Sequence, residues 1–232
     1  MKVADRLALK FRFNVWAKLK TNIYPSYNLS HSQFGEDMVL RALIDDVDKK
    51  GFYVDIGAHH PVFLSNTYHF YSKGWRGINI DATPGSMEAF RILRPEDINL
   101  EVCLSTDNSQ ITFYMFENAP LNTFDPQMAE QAIDKGAKLI DKKVLKSTTL
   151  TECLDSHLPK GTEIDLMSID IEGGDELILM SNDWRRYQPR IIVFEKHVST
   201  IQEVEQLPIM QHLAEYEYKL VAKCGPSFIL KR

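Results

Sequence analysis

The sequence predicts an α/β protein built on an open, mostly parallel sheet with helices on both faces. Three observations point there. After residue 30 the apolar spacing switches repeatedly between the two-residue period of strands and the 3.6-residue period of helices, with no internal repeat or low-complexity tract. Several short runs (FYVDI, GINI, IDLMSI, IIVF) are almost wholly apolar, as strands of a parallel sheet covered on both faces must be. Polar, glycine-containing segments follow most of them, in the manner of βα connections.

Residues 1–30 stand apart as a basic, amphipathic extension. Residues 1–20 hold six cations against Asp5 alone, so they carry +5 on a chain whose net charge is -5. Val3, Leu7, Phe11, Val15 and Leu19 recur every four residues and make one drifting helical stripe, interrupted by Lys18. Such a helix could lie on an anionic membrane surface, or pack on its own domain or on a second copy of the chain. Residues 31–232 form the α/β domain. A helix is expected over 32–46, capped by Ser32, with Glu36 and Asp37 in its first turns and Val39, Leu40, Leu43 and Ile44 on one face. Strands follow at 52–56, 77–80, 98–104, 164–169 and 191–194, and helices at 65–73, 84–93, 174–181 and 201–214. Residues 105–149 break the βα rhythm. Within them 110–116 alternates as a strand and 117–138 reads as loop plus short helix, long enough for a substrate-side insertion. Near the end, 218–223 and 228–231 flank Gly225 and Pro226 as an antiparallel pair.

Composition excludes several classes. With 44% hydrophobic and 25% charged residues the chain is globular, and no apolar run approaches a membrane span. The N-terminus lacks the apolar core and cleavage site of a secretory signal, which reads as cytoplasmic. The acidic body argues against nucleic acid as a partner. Cys103, Cys153 and Cys224 have no CxxC spacing and encode neither a disulfide framework nor a zinc ribbon.

Ligands of an open α/β sheet bind beyond the carboxyl ends of its strands, and here those ends are acidic. The first delivers Asp55-Ile56-Gly57-Ala58-His59-His60-Pro61, where Gly57 permits a tight turn and close backbone approach to a ligand, and Asp55 can accept from a cationic donor. The second delivers Asp81, suited to the two hydroxyls of a ribose. The fourth delivers Asp170 and Glu172, and the fifth Glu195 followed by His197. Burying so many unpaired carboxylates would be costly, which favours a functional crevice over core packing. Milder roles exist for each: Asp55 could cap its turn, Asp81 the helix near Pro84, and His197 could be a solvated loop residue. His59 and His60 point apart and lack a third ligand, while Asp170 with Glu195 could hold Mg²⁺.

In order and spacing, SQFGED (32–37), YVDIGAHHP (53–61), GINIDATP (77–84), LNTF (121–124), LMSIDIEGGD (166–175) and PRIIVFE (189–195) resemble the FkbM-type S-adenosylmethionine-dependent methyltransferases over about residues 31–231. The resemblance implies the Rossmann-like class I methyltransferase fold, a seven-stranded sheet with an antiparallel last strand. It also implies S-adenosylmethionine as cofactor and O-methylation, often of sugars in surface polysaccharides or of natural products. By position, Asp55, Gly57 and Ala58 would hold the methionine end and Gln33 approach its amino-acid group, with Asp81 on the ribose and Cys103 and Leu104 bordering the adenine; His59, Ala82 and Asp170 are further cofactor-binding candidates. The first loop departs from many methyltransferases in carrying His59, His60 and Pro61 where a second glycine is common.

Methyl transfer to a hydroxyl needs a positioned nucleophile and a proton acceptor. Asp170, Glu172, Glu195 and His197 are the catalytic candidates, with the Asp170 and Glu172 pair preferred. The metal question stays open, although Mg²⁺ is not expected. The expected function is thus an O-methyltransferase acting on a sugar hydroxyl of a polysaccharide or glycan precursor, at or near the inner face of the membrane. Competing readings are a natural-product O-methyltransferase, a catalytically silent Rossmann-like module of a membrane glycan-assembly complex, and an NAD-dependent oxidoreductase, the last disfavoured by the absence of GxGxxG.

Overall fold

The computed structural model describes residues 28–44, 49–171, 173–196, 198 and 200–232. The N-terminal stripe, Glu172 and His197 lie outside the described residues.

Seven strands form one sheet in the order β3-β2-β1-β7-β8-β10-β9. They are β1 (Phe52–Ile56), β2 (Arg76–Asp81), β3 (Ile98–Glu101), β7 (Leu166–Ile169), β8 (Ile191–Glu195), β9 (Lys219–Cys224) and β10 (Ser227–Lys231). Pairing is parallel from β3 through β8, and β10 is antiparallel to both β8 and β9. This is the expected class I methyltransferase sheet with its reversed last strand. β1 lies at its centre, with Val54 opposite Ile78 on one side and Met167 on the other.

Alternation along each strand feeds two cores. Val54, Ile56, Met167, Ile192 and Phe228 pack with Leu154, Ile178, Leu179 and Leu213 on one face. Tyr53, Leu166, Val193 and Ile229 pack with Leu40, Phe70 and Trp75 on the other. All of these are essentially inaccessible, and each large apolar side chain so buried contributes about 1.5–3 kcal/mol. The covering helices are α1 (Glu36–Leu43), α2 (Tyr68–Ser72), α3 (Met87–Leu93), α5 (Leu150–His157), α6 (Asp175–Ser181), α7 (Ile201–Glu205) and α8 (Pro208–Ala214), with α4 (Pro126–Asp134) in the segment that breaks the βα rhythm. Among the described residues no helix is long and apolar enough to cross a membrane.

Several boundaries differ from expectation. α1 begins at Glu36 because Gly35 takes a left-handed φ of 88° before it, and Ser32 binds Asp37 instead of capping. The helix expected over 201–214 divides into α7 and α8, and Pro208 opens the second. The strand expected over 98–104 splits at Val102: β3 stays in the main sheet, while β4 (Cys103–Leu104) pairs with Ser147 and Thr148 of β6 (Leu139–Thr148). β6 in turn pairs antiparallel with β5 (Gln110–Phe116), giving a second, three-stranded sheet. Neither β6 nor α5 stood out in the sequence. β6 exposes Ile140 and Val144 among its lysines, which blurs its alternation, and α5 announces itself only through the capping box of Thr149 and Glu152.

Candidate active site

A crevice enclosing about 830 Å³, part of it open to solvent, lies at the carboxyl ends of β1, β2 and β7. Gln33, Gly57, His59, Asp81, Ala82, Cys103, Leu104 and Asp170 line it. Two further candidates, Asp55 and Ala58, do not. Strand alternation turns Asp55 to the opposite face from Ile56, where it is 5% exposed and accepts a hydrogen bond from Thr67 Oγ1 (2.5 Å). Burial pushes its carboxyl up, against the pull of Arg94 and of the Thr67 hydroxyl. Ala58 packs under Met87 and Phe90.

The turn after β1 is fixed by backbone demands. Gly57 has φ 76°, and a Cβ there would overlap the Asp170 carbonyl, so its close approach is to the chain's own β7. The Gly57 and Ala58 N–H groups both donate to Ile80 O (2.9 and 3.1 Å). His59 follows with φ 49°, and its N–H donates to Asp81 Oδ2 (2.9 Å). Thr83 N–H donates to Asp81 Oδ1 (2.7 Å). Both carboxylate oxygens are thereby aimed, and each retains capacity for another donor. His60 braces the loop: its Nδ1 accepts from Val62 N–H and Phe63 N–H, both at 3.1 Å. Burial, with His59 and Arg94 nearby, lowers its pKa to about 4, so the ring is neutral at physiological pH. Among the described residues no group of three His, Cys, Asp or Glu side chains could hold a metal ion.

Behind this loop lies Arg94, which sequence reasoning missed. It is fully buried. Its Nε donates to Pro61 O (2.7 Å), and its terminal nitrogens donate to Ser65 Oγ (2.7 Å), Thr67 Oγ1 (2.8 Å) and Asn79 Oδ1 (3.0 Å). Charge compensation is relayed through neutral groups: Thr67 passes it to Asp55, and Asn79 Nδ2 donates to Asp97 Oδ2 (3.0 Å). The aromatic rings of Tyr53, Tyr68, Tyr71 and Phe90 lie 5.4–5.9 Å from the guanidinium carbon. The one available signal was Asp55 itself, a strand carboxylate in need of a donor.

On the floor, Asp170 N–H donates to Ile56 O (2.9 Å), which sets the carboxylate at the rim of β7. Glu195 does not line the crevice; Ser227 Oγ lies 3.3 Å from its Oε1 and 2.8 Å from Glu36 Oε1, so the one hydroxyl proton is held closer to Glu36. Asp175, buried at the start of α6, accepts from Ile171 N–H (3.5 Å) and Glu195 N–H (3.4 Å). Burial raises its pKa to about 7. The far wall is apolar, made by Val102, Leu104, Phe113 and Cys103, whose thiol is pushed up by burial and stays protonated. Ala119, Pro120, Asn122 and Phe124 close the remaining side.

A neutral loop, an aimed carboxylate and an apolar slot can hold a nucleoside through its ribose and base, while Asp170 can accept a proton at the other end. The family model for the methyltransferase FkbM domain matches residues 55–220. No curated protein matches the sequence. Solved structures with a similar course include a TehB-like SAM-dependent methyltransferase from Corynebacterium glutamicum (12% identity, 94% of this chain and 95% of that one, TM-score 0.40). Others are a TDP-rhamnose 3'-O-methyltransferase of calicheamicin biosynthesis (12%, 93% and 86%, 0.43) and an O-methyltransferase from Bacillus cereus in complex with SAH (12%, 98% and 91%, 0.41). Likeness at that level carries no argument about substrate.

Proposed function

The chain belongs to the FkbM methyltransferase family, and from that premise we propose that it methylates a hydroxyl of a sugar, in a surface polysaccharide or a glycan precursor. It is an S-adenosylmethionine-dependent methyltransferase. What carries the finer reading is the crevice between Asp81 and Asp170, with a carboxylate at each end of one slot.

The residues fit the cofactor. Asp81 matches the paired hydroxyls of a ribose and would repel a phosphate on the same sugar. The loop after β1 has no glycine set for cradling phosphates, which suits a sulfonium nucleoside better than a dinucleotide. In this reading Ala82, Cys103 and Leu104 border the adenine, and Gln33, Gly57, His59 and Asp170 surround the amino-acid end. When bound, the cofactor supplies an electrophilic methyl group on its sulfonium.

The protein's own tasks are orientation and proton removal. Asp170 lines the crevice and can hold an acceptor hydroxyl in line while taking its proton, with Glu172 two residues on as its partner. Carboxylate oxygens accept readily from the several hydroxyls of a neutral sugar. Glu195 does not line the crevice, which leaves the Asp170 and Glu172 pair as the preferred proton acceptor. Residues 1–20 would bring the enzyme to an anionic membrane surface or to a second copy.

Purified protein given labelled S-adenosylmethionine, nucleotide sugars and lipid-linked oligosaccharides tests this. Label on a sugar is expected; no label on any of these, with label on non-sugar natural-product hydroxyls offered in parallel, would replace this acceptor class. Glu172→Gln should lower turnover about 100-fold with little change in cofactor affinity. Equal turnover at saturating acceptor would remove Glu172 from the mechanism, and activity lost to EDTA and restored by Mg²⁺ would bring in a metal.

A further inference from the structure

Residues 119–124 run along one side of the crevice as a strap fastened at two points. On the β2 side, Asn122 Nδ2 donates to Thr83 Oγ1 (3.2 Å) while Asn122 Oδ1 accepts from Phe116 N–H (2.8 Å). Thr123 is buried and exchanges both backbone hydrogen bonds with Tyr114 (2.8 and 3.2 Å). On the β7 side, the Phe124 ring lies over Gly174, while Met128 lies over Gly173.

The fit there is steric. A Cβ on Gly174 would overlap Phe124 Cζ and approach Ile171 Cδ1 to 2.8 Å, and one on Gly173 would overlap Met128 Sδ. Gly174 has φ -101° and ψ -2°, a conformation open to any residue, so backbone strain does not require glycine at this position. Its missing side chain answers to the aromatic ring. The same ring faces the crevice beside Asn122 and Ile171.

We propose that this strap is the retaining wall of the cofactor site: Phe124 and Asn122 are positioning residues that hold the bound cofactor in, and Gly174 is the seat that lets Phe124 do so. The proposal rests on the methyltransferase reading of the crevice. Cofactor release then requires the ring to leave its seat, so seat and ring must act as one unit, which a double-mutant cycle detects.

The test is the release rate of S-adenosylhomocysteine from the full-length protein, measured by stopped-flow displacement. Phe124→Ala and Gly174→Ala should each speed release about tenfold, since contact loss is expressed mainly in dissociation. The double variant should be no faster than Phe124→Ala, because the added methyl enters space the ring has vacated. Should Gly174→Ala fail to fold alone, the Phe124→Ala background supplies the comparison, and Asn122→Ala, which releases the opposite fastening, should also speed release. Unchanged rates in the single variants, or effects that multiply in the double variant, would overturn the strap while leaving the methyltransferase reading intact. Failure of the wild type to bind S-adenosylhomocysteine would overturn both.

Discussion

Arg94→Met tests how the loop that shapes the crevice is held. Methionine fills much of the arginine stem's space but takes the buried donor from Pro61 O, Thr67 Oγ1 and Asn79 Oδ1, whereas Ser65 Oγ still accepts from the N–H groups of Thr67 (3.3 Å) and Tyr68 (3.1 Å). Each orphaned acceptor costs about 1–3 kcal/mol. Their sum overstates the loss, because the Thr67 hydroxyl can rotate and all three share one region. Removing one member of a buried charged network costs about 3–5 kcal/mol, which is the expected fall in unfolding free energy. For a domain of this size that lowers the thermal midpoint by roughly 6–20 °C. Arg94→Lys keeps the charge but not the planar fork, so it should recover only part of the loss. The assay is urea unfolding followed by far-UV circular dichroism. It also carries a pH signature, since Arg94 opposes the burial that raises Asp55. Without Arg94 that carboxyl rises further, and a raised acid costs stability as the pH climbs above its unfolded value. The variant's deficit should therefore be smaller near pH 4 than at pH 7. A fall of less than about 1 kcal/mol would refute the network's organising role, and an equal deficit at both pH values would place Asp55 outside its influence.

Asp175→Asn should flatten the pH dependence of stability between about pH 4 and 7. The wild-type carboxyl, raised to about 7 by burial, stays protonated in the fold while its unfolded counterpart ionises, so wild-type stability falls as pH rises through that window. The loss approaches roughly 4 kcal/mol at most, and urea midpoints with parallel pH profiles for both proteins would contradict it. A chain beginning at Asn28 should keep cofactor affinity and turnover on a soluble acceptor. If residues 1–20 bind membranes, that truncation abolishes sedimentation with anionic vesicles, and salt weakens it for the intact chain. If they pair copies, light scattering shows a lower mass instead. Lost cofactor binding on truncation would make the segment part of the catalytic fold.

The central strands β1, β2, β7 and β8 were legible because they are short apolar runs that end at or just before Gly57, Asp81, Asp170 and Glu195, a pattern set by burial on both faces. The second sheet was not. β6 exposes Ile140 and Val144 on a lysine-rich strand, and β4 is two residues long, so neither carries a periodic signal. At the crevice, strand-end carboxylates could be read as a set, but not which face each would take. Asp55 and Asp81 are both strand-end acids, yet one turns toward Thr67 and the other toward the crevice. Arg94 sits 39 residues beyond Asp55 in the sequence and reaches it through Thr67, a relay that only the folded chain assembles.

The most direct test of the account is calorimetric titration of the wild type and Asp81→Ala with S-adenosylhomocysteine. The crevice predicts one-to-one binding by the wild type. Removing Asp81 deletes charged hydrogen bonds worth about 1.5–3 kcal/mol, a loss of affinity of roughly tenfold to 150-fold. Absence of binding by the wild type, or an unchanged affinity in Asp81→Ala, would contradict the assignment of this crevice as the cofactor site.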